Sequence, residues 1–312
     1  MMIETFLPNA HQRSVLLMVL ARSILPALMG LFWLWQDPAQ AADHIAKSAI
    51  RLGLLPDSSP EILNARFKPL KNYLEITLER PVDITIPSDY NELVNQFGKK
   101  KLDIVFFGGV TFATARKLYH AEPLVMRDID LKFTSLFLTQ ADNAKLTLAD
   151  FKGTQFSFGA KLSTSGHYMP RYFLLEQGIV PEKFFNTIHY SGGHDKTALA
   201  VREGRVDIGV ANGEVIRAMI KDGRLSLRDV RIVWETPFYT DYVFAVQPGM
   251  PKREKQALRD AFLALSISHP QQRGILSALN AQSFIPASNK DFEVLENIIQ
   301  NLEKNQNNGS TQ

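Results

Sequence analysis

Short apolar runs alternate with longer segments whose apolar residues recur every three or four positions, from Ala49 almost to the C-terminus. Ile50 to Leu55 is a buried strand that ends in a loop at Pro56-Asp57. Residues 60–80 carry helical periodicity through Ile62, Phe67, Leu70, Leu74 and Leu78, and Pro81 stops it. Val82 to Ile86 is a second strand, and Ser88-Asp89-Tyr90 opens a helix through Phe97. Leu102 to Phe107 is a third strand, broken by Gly108-Gly109 before a helix from Thr111 to Tyr119. A second unit repeats the pattern. Strands are expected at Phe133 to Thr139, Thr154 to Phe158, Asn186 to Tyr190, Val206 to Val210 and Val230 to Trp234. A short helix and turn fall at Leu148 to Gly153, Ser191-Gly192-Gly193-His194-Asp195 leads into a helix through Glu203, and another helix runs from Gly213 to Lys221. Phe133 to Thr139 is placed to cross between lobes, and Asp241 to Val246 to return to the first. Helices follow at Lys252 to Leu265 and Pro270 to Leu279, then a polar tail from Asn305 that is expected to be disordered. This order predicts an α/β fold with a mainly parallel sheet.

At 312 residues the chain has room for about two domains and a sizeable core. Its 35 basic and 32 acidic residues nearly cancel, and no long basic run exists, which argues against nucleic acid as a partner. Cysteine is absent, so disulfides, thiol chemistry and Cys-ligated metals are excluded.

The first forty residues have the organisation of a targeting segment. His11 and Arg13 lie in a short polar region, Ile24 to Trp35 is apolar, and Ala39-Gln40-Ala41 is a small-x-small cleavage site. The apolar run alone is too short for roughly 30 Å of hydrocarbon. Extending it back to Ser14 would place Arg22 in the membrane at a cost of roughly 2.5–3.5 kcal/mol. The expectation is a cleaved signal over residues 1–41 and export to a periplasm or the exterior, with an uncleaved anchor as the alternative.

Just past the middle, Ser163-Thr164-Ser165-Gly166 leads into the apolar run Tyr168 to Leu175. Hydroxyl residues before such a run mark a helix entrance, and Pro170 is tolerable only in the first turn, so the helix should begin near Gly166 or His167. Two readings stand: an ordinary Ser/Thr cap, or a site where hydroxyls, free N–H groups and the positive dipole end hold a tetrahedral oxyanion. Nucleophilic catalysis finds little support, because no Gly-x-Ser-x-Gly elbow, His-Glu-x-x-His pair, Walker loop or dinucleotide glycine pattern occurs.

Several segments, in order, resemble one family. They are Leu102 to Gly108, Asp150-Phe151-Lys152-Gly153, Ser163-Thr164-Ser165-Gly166 with Pro170-Arg171-Tyr172, Ser191-Gly192-Gly193-His194-Asp195 and Val206-Asp207-Ile208. Ile50-Arg51-Leu52-Gly53, Phe67-Lys68-Pro69-Leu70 and Ser88-Asp89-Tyr90 fit it too, so the likeness runs from about Ala49 to Pro270. The family is that of periplasmic phosphonate-binding proteins of ABC importers, whose relatives bind phosphite and related oxyanions. The resemblance implies a type II periplasmic-binding-protein fold: two α/β lobes joined by crossovers, closing on a ligand about hinges near 139–142 and 236–240. It divides the chain into a signal peptide (1–41), a first lobe (42–139), a second lobe (140–238), a return to the first lobe (239–304) and a tail (305–312). It implies a small phosphorus oxyanion as ligand, an ABC permease as partner, no cofactor and no catalysis. A membrane-tethered sensor subunit with the same cleft is the rival.

The same resemblance implies the site residues. Ser163, Thr164 and Ser165 match the loop that grips the phosphonate oxygens, and His194 and Tyr90 match further ligand contacts. Phe133 stands where several members carry a tyrosine, so one hydroxyl contact is missing here. Glu214 and Asp241 align with acids that receive the ammonium group of aminophosphonates. Beside an oxyanion, two acids make sense if the ligand is zwitterionic. Glu214 as a helix N-terminal acid and Asp241 in a strand-edge salt bridge are the alternative.

Overall fold

The computed structural model describes residues 48–309. The expected signal segment and its cleavage site therefore lie outside the described residues, as do the last three residues of the tail.

In the first lobe, β1 (Ile50–Leu54) pairs in parallel with β2 (Val82–Thr85) and β3 (Ile104–Phe107). The sheet continues through β10 (Val243–Val246), β4 (Glu122–Arg127) and β11 (Phe284–Pro286), in the order β11-β4-β10-β3-β1-β2. The second sheet has the order β7-β6-β8-β5-β9. Its strands are β5 (Ser135–Gln140), β6 (Gln155–Phe158), β7 (Thr187–Tyr190), β8 (Ile208–Asn212) and β9 (Val230–Glu235). Pairings to β10 in the first lobe and to β5 in the second are antiparallel. Each of these strands is the first its sheet receives from a crossover. Two α/β lobes joined by two crossovers result, as the resemblance implies.

Helix α1 (Pro60–Leu78) starts with Pro60, whose missing N–H costs nothing at that position. It ends at Glu79, which adopts a left-handed φ of 50° just ahead of Pro81. Helices α2 (Tyr90–Gly98) and α3 (Gly109–Tyr119) follow β2 and β3. In the second lobe, α4 (Met169–Glu176), α5 (Pro181–Phe184), α6 (His194–Arg202) and α7 (Gly213–Lys221) cover the sheet. The first lobe is completed by α8 (Lys252–Leu263), α9 (Pro270–Ala278) and α10 (Glu293–Gly309).

Strand β5 lies between β8 and β9, wholly in the second sheet. The first crossover is therefore residues 128–134, not the expected hinge at 139–142, and 135–139 belong to the second lobe. The apolar run explains why. Leu136 and Leu138 face one buried cluster with Val201 and Ile216, and Phe137 faces another with Phe156 and Ile208, so both sides of the strand need covering. Removing a ring such as that of Phe137 would cost about 3–5 kcal/mol. The second crossover, 236–242, runs beside the first. Phe133 and Tyr239 exchange backbone hydrogen bonds of 2.9 and 3.1 Å, and Asp241 N–H donates to the Asp130 carbonyl at 3.0 Å.

A second correction concerns the tail. Helix α10 continues to Gly309, so residues 305–309 are helical where disorder was expected. Leu295, Ile299 and Leu302 bury one face of this helix, and propagation beyond a formed helix adds one hydrogen bond per residue fixed. β4 and β11 were not anticipated from the sequence.

Candidate ligand-binding site

The C-terminal ends of β1, β3, β6 and β8 point at the junction of the lobes, where open α/β sheets place their ligands. After β6 the chain enters the hydroxyl-rich stretch. Ser163 caps it, its Oγ accepting the Gly166 N–H at 2.9 Å. Residues Thr164–Tyr168 form one wide π-type turn, closed by Tyr168 N–H donating to the Ser163 carbonyl at 3.0 Å, before α4 begins. Pro170 cannot donate to the Gly166 carbonyl, which instead accepts the Gly159 N–H at 2.8 Å. That contact needs two glycines, because a Cβ on Gly159 would lie 3.2 Å from the Gly166 Cα. The first N–H groups of the turn have no preceding helical carbonyl to bond.

Behind the turn, His167 anchors it. Its Nδ1 lies 2.7 Å from the Lys161 carbonyl, and its Nε2 is within reach of Arg171 Nε (3.1 Å) and the Tyr190 hydroxyl (3.2 Å). Burial lowers the pKa to about 4, so the ring is neutral, donating through Nδ1 and accepting through Nε2. Arg171 in turn pairs with Glu182 at 2.6 Å.

The first lobe meets this turn at the N-terminus of α3. Gly109 N–H donates to Asp241 Oδ1 and Val110 N–H to Thr164 Oγ1, both at 3.0 Å. Thr164 thus bonds across the lobes and keeps its own hydroxyl hydrogen free to donate. The second oxygen of Asp241 has no partner. Burial raises this carboxyl to a pKa of about 7, partly offset by the Gly109 N–H.

His194 opens α6 after Gly193 and is 1 % exposed. The Asn212 N–H points at its Nδ1 from 3.2 Å, so Nδ1 is the acceptor and the ring proton sits on Nε2. That Nε2–H has no partner, and burial lowers the pKa, which keeps the ring neutral. Its edge lies beside the turn, 3.1 Å from where a Cβ on Gly166 would be.

Tyr90, the first residue of α2, is buried with its hydroxyl unpartnered. Among the described residues, six buried side-chain polar atoms lack a partner, and five belong to Asp57, Ser58, Tyr90, His194 and Asp241. Their charges act on one another. Burial and then Asp57 and Asp241 raise Tyr90 well above its usual range, while Asp57 opposes the burial that lowers His194. An unpaired buried polar atom costs about 1–3 kcal/mol, so such a cluster marks where a polar ligand sits.

The structure thus gathers Tyr90, Ser163, Thr164, Ser165, His194 and Asp241 around the lobe junction. Phe133 and Glu214 line an adjoining cavity of about 20 Å³, together with Asp57, Arg66, Arg127 and Tyr242. The Phe133 ring packs against Tyr239 and Tyr242. Glu214 is in the first turn of α7 and pairs with Arg217 at 3.2 Å. Sequence reasoning missed Asp57, Ser58, Asn212 and Tyr242. The usable signal for Asp57 and Asn212 was their place just beyond or at the end of a buried strand, where this architecture builds its sites. Chemically, the cluster offers hydroxyl, imidazole and backbone donors to an anion. His194 presents a hydrogen rather than a lone pair, which suits it to hold an anion and not to abstract a proton from a nearby serine.

A profile of the family described as ABC transporter, phosphonate, periplasmic substrate-binding protein matches residues 52–292. The chain is 30% identical over 267 residues to the probable ABC transporter phosphite binding protein of Prochlorococcus marinus (strain MIT 9301), covering 82% of this chain and 90% of that one. A phosphate-import protein of Mycolicibacterium smegmatis is 27% identical, over 68% of this chain and 70% of its own. The solved structure of the Prochlorococcus protein in complex with methylphosphonate superposes with a TM-score of 0.78 at 29% identity, covering 82% of this chain and 99% of that one. Among the described residues, no helix is long and apolar enough to cross a membrane.

Proposed function

Because the chain belongs to the family of periplasmic phosphonate substrate-binding proteins of ABC transporters, we propose that it captures a small tetrahedral phosphorus oxyanion, phosphite or a short alkylphosphonate, and delivers it to an ABC permease. The family is one of binding proteins, not enzymes. The observation that carries the reading is the buried, partnerless Nε2–H of His194 beside the hydroxyl-rich turn. Tyr90, Ser163, Thr164, Ser165 and the N–H groups of the turn supply further donors, and Asp241 near its pKa supplies a hydrogen when protonated.

The ligand's substituent is small in this reading. The adjoining cavity has room for about one water molecule. Of the two acids expected to receive an amine, Glu214 is engaged by Arg217 and one Asp241 oxygen by Gly109, so an aminoalkyl group finds that pair only partly free. Phe133 leaves the substituent side of the site apolar where a tyrosine would add a hydroxyl.

Calorimetric titration with methylphosphonate tests the carrying observation. Loss of a hydrogen bond to a charged group costs about 1.5–3 kcal/mol, so His194→Ala should bind roughly ten- to a hundredfold more weakly. Wild-type affinity in His194→Ala would remove the histidine from the ligand. Export follows from the same reading, with Ala39-Gln40-Ala41 as the cleavage site and Ala42 as the mature N-terminus. Met1 found intact on membrane-bound protein by N-terminal sequencing would favour the anchor instead.

A further inference from the structure

Asn212 is the last residue of β8 and is 1 % exposed. Its Oδ1 caps α7 by accepting the Val215 N–H at 3.0 Å, which fixes the orientation of the amide. The Nδ2 group is thereby aimed across the lobe junction and donates to the Tyr242 hydroxyl at 2.9 Å. Tyr242 donates onward to Asp57 Oδ2 at 2.8 Å. The chain of bonds has one direction: amide to hydroxyl to carboxyl. Tyr242 keeps its proton, because burial and the nearby Asp57 and Asp241 carboxyls hold it well above the usual tyrosine range.

Tyr242 is fixed as firmly as Asn212. Its ring stacks on Phe106, with centroids 4.9 Å apart and planes within 12°. The Arg127 guanidinium lies 5.2 Å from the ring centroid, and Arg127 is itself held by Asp130 and the Leu279 carbonyl. Asp57 has Arg66 at 3.6 Å. Asp57, Arg127 and Phe106 belong to the first lobe and Tyr242 packs into its core, so of this chain of bonds only Asn212–Tyr242 spans the lobes and must break, with the Val110–Thr164 bond, when they part. The backbone N–H of the same Asn212 sets the tautomer of His194.

We propose that Asn212 is a positioning residue that couples ligand capture to lobe closure: its backbone aims the His194 proton at the ligand, and its side chain latches the second lobe onto Tyr242 and Asp57 of the first. The latch rests on the reading of His194 as a ligand donor. It slows ligand escape, since the bond forms only in the closed arrangement.

Tyr242→Phe keeps the ring stack and removes the hydroxyl. Asn212→Ser keeps a capping oxygen and the backbone N–H but withdraws the donor from Tyr242. With phosphite and methylphosphonate as probes, stopped-flow measurements should show dissociation about three- to tenfold faster in each variant, with association little changed. The double variant should dissociate no faster than the faster single, because both remove one bond. Wild-type dissociation rates in both singles, or effects that multiply in the double, would overturn the latch. If wild type bound neither probe, the ligand reading would fail, and the latch would be judged from ligand-free scattering. A larger radius of gyration in Tyr242→Phe than in wild type would sustain it, and equal radii would overturn it.

Discussion

The Asn212 N–H points at Nδ1 of His194 from 3.2 Å, and the opposite ring nitrogen is buried without a partner. An imidazole placed this way is a neutral donor through Nε2. It therefore does not need the acidic conditions that an imidazolium would, and burial lowers its pKa further from physiological pH. Long-range ¹⁵N–¹H correlation spectra at pH 7 should show His194 as the neutral Nε2–H tautomer. An Nδ1–H tautomer or an imidazolium at that pH would contradict the assignment.

Asp241 predicts a pH dependence of the opposite kind. Its folded pKa of about 7 lies above the usual 3.8, so the folded protein holds this proton where the unfolded chain has lost it. The stability it contributes is full below pH 3.8 and is lost as pH rises through about 7. Asp241→Asn should remove that loss, so the variant gains on wild type between pH 4 and 8, by on the order of 4 kcal/mol in chemical unfolding. Ligand binding should follow the same proton. Hypophosphite is a monoanion with nothing to titrate in this range. Its affinity for wild type should fall above pH 7, approaching tenfold per pH unit, and stay level in Asp241→Asn. A flat wild-type profile would take the carboxyl out of the anion's surroundings.

Ser163 and Thr164 separate by what each hydroxyl holds. Ser163→Ala removes the cap on Gly166 and should cost about 1 kcal/mol of stability as well as affinity. Thr164→Ala removes the acceptor of Val110 N–H, a bond between lobes, so it should weaken the ligand about ten- to a hundredfold and loosen closure too. Titration and thermal unfolding of both variants check this. Wild-type binding in the double variant would leave the turn with a structural role only.

What the sequence revealed was local. Serine and threonine ahead of an apolar run announce a helix entrance, so the hydroxyls of 163–165 were visible without any fold, whereas His194 and Tyr90 were indicated only by the family resemblance. Asp57, Asn212 and Tyr242 were not, because their meaning lies in bonds spanning 30 and 185 residues of chain. The crossover was misplaced for a related reason. Leu136-Phe137-Leu138 is apolar on both faces, and such a run shows that a strand is covered twice but not which sheet it joins. β4 and β11 escaped notice because Pro123 and Pro286 break short runs that read as loops, and both prolines are tolerated where their strands begin or end. The wide turn at Thr164–Tyr168 follows from Pro170, yet its geometry needed Gly159 to be seen against Gly166.

The central claim is that this cleft holds a small phosphorus oxyanion through neutral donors, with little room for a substituent. Calorimetric titration of the wild-type protein with phosphite, methylphosphonate, 2-aminoethylphosphonate, phosphate and sulfate tests it most directly. Phosphite or methylphosphonate should bind most tightly, and 2-aminoethylphosphonate should bind at least tenfold more weakly, about 1.4 kcal/mol. Tightest binding of 2-aminoethylphosphonate would contradict the small-substituent account and return Glu214 and Asp241 to an amine, and no heat with any phosphorus ligand would contradict the account as a whole.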